Sequence, residues 1–98
     1  MEITRLVSNN TLTLAINARL DTVTSPVLQE EIVKSIPEFN HLVLDFKDVL
    51  YVSSSGLRVI LMAQKEMSKK GDMTIINCSE EIIELFKMTG FSEILNIK

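Results

Sequence analysis

The sequence predicts one α/β domain, residues 1–98: a mixed four- to five-stranded sheet with helices packed on it, in the order β-β-α-β-α-β-α. Three observations predict it. Residues 11–18 (TLTLAINA) alternate apolar and polar. Residues 41–46 (HLVLDF) are nearly all apolar. From residue 25 onward, helical and strand-like segments take turns. Alternation at period two marks a strand, and three–four spacing marks a helix. Strand–helix–strand units imply parallel strands joined by right-handed crossovers.

Residues 2–7 (EITRLV) read as a strand with Ile3 and Leu6 or Val7 inward and Arg5 outward. Asn9 and Asn10 supply a turn, because Asn tolerates positive φ. Residues 11–18 then complete a hairpin with Leu12, Leu14 and Ile16 on one face. Ser25-Pro26 reads as a helix start, with the hydroxyl as N-cap and proline in the first turn. Leu28, Ile32 and Ile36 form its buried stripe, and Pro37 ends it. The run at 41–46 predicts a strand covered on both faces, broken by Asp45 near its end. A second helix is expected from Ser54 or Ser55, with Leu57, Ile60, Leu61, Gln64 and Met67 inward. Gly71 reads as its left-handed stop. MTIIN (73–77) is a further strand. Ser79 caps a third helix with Glu80 and Glu81 in its first turn, and Gly90 stops it. Residues 91–98 read as a helical turn and an extended end near Ile97.

Composition narrows the function. The chain is 46% hydrophobic and 23% charged, with a formal charge of −3. Nucleic-acid binders usually carry a basic stripe, so nucleic acid is not an expected partner. No apolar run approaches the ~20 residues needed to span a bilayer, and the N-terminus has no signal-like core. The single cysteine, Cys78, has no partner for a disulfide or a zinc site. These features predict a cytoplasmic protein that needs no membrane, metal or cofactor.

Catalytic signatures are sparse. There is no GxxxxGK[ST] loop, no GxGxxG and no GxSxG elbow. His41 reads as a strand-end histidine, the methionines as core filler, and Cys78 as a small apolar residue. No catalytic residue is expected.

The exception is YVSSSGLR, residues 51–58. Three serines stand where a helix N-terminus emerges beside the carboxyl edge of the sheet. One hydroxyl suffices as an N-cap, for about 1 kcal/mol. A phosphate would also be well received there, because free N–H groups and the positive dipole end favour an anion. Arg58, one turn beyond Ser54, could reach back to it.

The segment LVLDFKDVLYVSSSGLRVILMAQKEM resembles the signature of the STAS domain, the fold of bacterial anti-sigma factor antagonists. ARLDTVTSPVLQEEI and ELFKMTGFSEILNI resemble its other two characteristic stretches, and the likeness runs the length of the chain. It implies a substrate rather than an enzyme. In that family the unmodified antagonist binds an anti-sigma factor that is also a serine kinase of the histidine-kinase-like ATPase fold, and so frees a sigma factor. Phosphorylation dissolves the complex, and a metal-dependent, PP2C-type serine phosphatase reverses it. Two residues before Gly56, the phosphoserine position falls on Ser54. Ser53 stands where the family often has Asp, which leaves Ser53 and Ser55 as alternative acceptors, and Ala18 replaces a usual Gly. The resemblance places partner contacts on Asp21, Thr22, Thr24, Ser53, Ser55, Gly56, Arg58 and Met62. A non-switching scaffold in a stress-signalling assembly, or a subunit beside a lipid-transport ATPase, is the alternative role.

Overall fold

The computed structural model describes residues 1–98. Its elements are β1 (Glu2–Ser8), β2 (Thr11–Asn17), α1 (Ser25–Ser35), β3 (His41–Asp48), α2 (Ser54–Ser68), β4 (Asp72–Ile76), α3 (Glu80–Thr89) and β5 (Asn96–Ile97). Short 3-10 turns cover Ile36–Glu38 and Phe91–Glu93. The five strands lie in sequence order. β1 is antiparallel to β2, and all later neighbours are parallel.

This order decides where the helices go. Each crossover steps the same way along the sheet, and crossovers are right-handed. All three helices therefore cover one face. The register agrees: Leu12, Leu42 and Met73 form one row, and Leu14, Leu44 and Ile75 the next. All six are buried in a single core with Leu28 and Ile32 of α1, Ile60 and Ala63 of α2, and Ile82 and Phe86 of α3. The opposite face carries Thr13, Val43 and Thr74, then Ala15, Asp45 and Ile76, all only half-buried. The expected cover on both faces of β3 is thus corrected: one face is packed and the other faces solvent.

The edge strand departs from its alternation. Leu6 and Val7 are 63% and 58% exposed, and only Ile3 is partly buried. Arg5, expected outward, pairs with Leu14 in the register and so lies on the helix side. Its guanidinium donates to Glu31 Oε1 (2.7 Å) and Ser35 Oγ (2.8 Å) on α1. A polar clamp closes the rim of the core where apolar contact was expected. Arg5 and Lys34 both bond Glu31, which holds that carboxyl below its usual range.

Helix boundaries follow the sequence with three corrections. The N-cap of α1 is Thr24, not Ser25; Ser25 is the first helical residue and is buried, its Oγ unpartnered. Pro26 sits in the first turn, and Pro37 converts the helix end into a 3-10 turn holding a half-buried Ile36. In α2 the buried stripe is Gly56, Val59, Ile60, Ala63 and Met67. Leu57, Leu61 and Gln64 are only half-buried, because the face that meets the core is the one carrying Gly56, Val59 and Ala63. Gly71 is not left-handed; only Gly90 among the glycines has positive φ, +81°. A Cβ at Gly71 would instead lie 1.7 Å from Asn40 O, so close backbone approach requires the glycine. Ser79 caps α3 on Ile82 N (3.3 Å), as the sequence predicts.

Candidate functional site

Helix N-termini converge at the carboxyl edge of the parallel strands, where open α/β sheets commonly bind ligands. Two loops build this edge: residues 18–24, between β2 and α1, and residues 49–53, between β3 and α2. A parallel bridge pairs Leu20 with Val52. Leu20 N donates to Tyr51 O (2.9 Å), and Ser53 N donates to Leu20 O (2.7 Å). Gly56 makes the approach possible, since a Cβ there would stand 2.9 Å from both Leu20 Cβ and Val52 Cγ1. Gly56 is buried, so it sets the spacing and offers no surface.

Asp21 organises the first loop. Its Oδ1 accepts from Val23 N and Thr24 N, both at 3.0 Å, and lies 3.2 Å from Thr24 Oγ1. Thr24 Oγ1 accepts from Asp21 N (3.0 Å) and donates to Arg19 O. The backbone N–H of Thr24, then that of Val23, pulls the Asp21 carboxyl below its ordinary range. It is a carboxylate at neutral pH. All its hydrogen bonds pass through Oδ1, and Oδ2 makes none within the chain.

The three serines have separate situations. Ser53 is the N-cap of α2, extended at φ −85° and ψ 176°, and its Oγ accepts from Gly56 N (3.3 Å). Ser54 is the first helical residue; it is exposed, and its hydroxyl makes no hydrogen bond. Ser55 is half-buried and faces a cleft of about 310 Å³ between the first turns of α1 and α2. That cleft joins four residues nominated from sequence: Thr22, Ser55, Arg58 and Met62. Ser25, Pro26, Gln29 and Val59 complete it. Arg58 is exposed and makes no ion pair.

Sequence reasoning missed the apolar part of this rim. Arg19 lies over the Tyr51 ring, 4.4 Å from its centroid. Leu50 and Val23 are 76% and 78% exposed. The signal was available: Leu50-Tyr51 is an apolar pair where a connection would normally be polar. Gln29 was missed because one polar residue on a helix carries no periodic signal.

Other chemically capable residues lie elsewhere. His41 Nδ1 is 2.9 Å from Asp72 Oδ1 at the opposite edge of the sheet. The length of β3 separates it from the serines by roughly 23 Å, so no triad forms with Ser54. Burial pushes the Cys78 thiol up to about 11. No helix is long and apolar enough to cross a membrane.

Comparison with known proteins agrees with this fold. A family model described as STAS domain matches residues 2–98. The anti-sigma-B factor antagonist of Bacillus subtilis (strain 168) is 33% identical over 91 residues, covering 92% of this chain and 84% of that protein. The anti-sigma-B factor antagonist of Listeria monocytogenes is 31% identical, covering 81% and 71% respectively. Among solved structures, a putative anti-sigma factor antagonist from Thermotoga maritima superposes with a TM-score of 0.91 at 18% identity, covering 97% of this chain and 84% of that one. Phosphorylated SpoIIAA, described as a Bacillus cell-fate determinant, superposes at 0.77 with 17% identity, covering 99% and 91%. At such identities the superpositions attest the fold alone.

Proposed function

Because this chain belongs to the STAS domain family, we propose that it is an anti-sigma factor antagonist controlled by phosphorylation at Ser54. The unmodified chain binds an anti-sigma factor, itself a serine kinase of the histidine-kinase-like ATPase fold, and so releases a sigma factor. The kinase moves the γ-phosphoryl of ATP to Ser54 Oγ. The serine proton passes to a base on the kinase, and ADP leaves. The complex then separates. A PP2C-type phosphatase adds water across the Ser54 ester, returning the hydroxyl and inorganic phosphate. The chain is a substrate and a regulator, and the chemistry belongs to its partners.

One observation carries this reading. Of three adjacent hydroxyls, Ser54 alone is exposed and unbonded, while Ser53 is held as the helix cap. A phosphate on Ser54 adds about −1.5 to −2 charge at the positive end of a 15-residue helix, where an anion is tolerated. Partner carboxylates would meet that charge across a desolvated contact, and each 1.4 kcal/mol so lost weakens binding about tenfold. The test is to incubate the chain with its cognate kinase and ATP and to map the modified residue. Ser54→Ala should take up no phosphate, and Ser53→Ala should still be modified. Full stoichiometry on Ser54→Ala would refute the assignment.

A further inference from the structure

We infer that the cleft between α1 and α2 seats an acidic side chain of the kinase partner on Arg58, and that phosphate at Ser54 takes Arg58 away from it. This deepens the proposed function and rests on it. Arg58 is the only charged residue among those lining the cleft. No acid of this chain pairs with it, so its guanidinium is open to a partner's carboxylate. The remaining walls are neutral. Met62, Val59 and Pro26 offer apolar surface for a methylene stem, and Gln29, Thr22 and Ser55 offer polar groups around a carboxylate. Charge complementarity therefore selects Asp or Glu on the partner, because a planar guanidinium engages a carboxylate through two parallel N–H bonds.

The same residue faces Ser54 along the helix. Residues four apart stand one above the other on an α-helix, so Arg58 reaches a phosphate on Ser54. A dianionic phosphate with three acceptor oxygens outcompetes a single carboxylate for the guanidinium. Phosphorylation then acts twice: it presents a charge to the partner and removes the cation that held it. No backbone movement is needed.

Binding of the full chain to its cognate kinase, with ADP in place, tests this by calorimetry. Four proteins are compared: wild type and Arg58→Gln, each with Ser54 unmodified or phosphorylated. Arg58→Gln should weaken the unmodified complex about tenfold or more. It should also shrink the ratio between phosphorylated and unmodified dissociation constants, since one of the two effects is already gone. Arg58→Lys, which keeps the charge without the fork, should fall between. A wild-type chain that binds equally in both states overturns the parent reading and this inference with it. A wild-type chain that releases its partner on phosphorylation, while Arg58→Gln binds as tightly as wild type or shows the same ratio, overturns this inference alone. Thermal unfolding of each variant confirms that the exposed substitution leaves the fold intact.

Discussion

At Asp21, loop geometry and acid stability are one property. The carboxylate holds its loop by accepting two backbone N–H bonds, and its pKa falls because both donors favour the charged form. A carboxyl with a depressed folded pKa lends stability above its unfolded value, near 4, and loses it as pH falls through the lower folded value. Replacing Asp21 with Asn keeps an acceptor oxygen and removes the titration. We expect the stability gap between wild type and Asp21→Asn, read from urea unfolding at pH 7, 4 and 3, to close as the pH drops. A gap that stays constant would show that the Asp21 charge does not hold the loop. Ser25 is the contrasting case. Its Oγ is buried and unpartnered, which costs free energy rather than supplying any. The sequence signal there was real, a hydroxyl just before proline, but the chain enters the helix one residue earlier. Both Thr24 and Ser25 can precede Pro26 in a cap, and local chemistry does not distinguish them.

At the scale of elements, the glycines separate what local pattern reveals from what packing imposes. Gly90 ends α3 at φ +81°, and a Cβ added there would meet nothing within 4 Å. Gly71 follows α2 in an ordinary conformation, yet a Cβ there would collide with the Asn40 backbone, whose carbonyl accepts from Asp72 N (3.0 Å). Gly90→Ala should cost about 1–2 kcal/mol, the left-handed penalty. Gly71→Ala should cost more, about 3 kcal/mol, because β3 and β4 must separate at their start. Chemical denaturation of both variants checks the order, and equal midpoints would contradict it. Legibility followed the same division. Alternation in β2, the Ser79 cap and the Gly90 stop are local, and the sequence displays them. The α2 stripe shifted towards Val59 and Ala63, with Gly56 pressed against Leu20 and Val52, two loop residues whose position only the fold determines. Leu6 failed to pack because it pairs with Thr13 on the uncovered face, and Val7 because it lies at the end of an edge strand; both are properties of topology. In the candidate site, helix spacing alone placed Arg58 one turn beyond Ser54, and only the family resemblance singled out Ser54, whereas the Arg19–Tyr51 contact joins two loops that only the fold brings together.

Across the whole molecule, crossovers in one direction put every helix on one face and every helix start at one edge. The residues proposed to form the switch occupy that edge, outside the core that Leu14, Leu44 and Phe46 anchor at full burial. The opposite edge holds structural contacts: Asn40 N to Asn10 Oδ1 (3.1 Å), and the His41–Asp72 pair. A phosphate on Ser54 takes the formal charge from −3 to about −5 without entering the interior. Hydrogen exchange on the phosphorylated and unmodified chains should therefore give the same protection, within about twofold, for the amides of β2, β3 and β4, the last to open because they carry the core. Changes should be confined to the first turn of α2 and residues 18–24, and the melting temperature should move by no more than about 2 °C. Lost strand protection with a fall of many degrees would mean that the phosphate works by loosening the domain. Control would then belong to stability, and the exposed edge would have no special part in it.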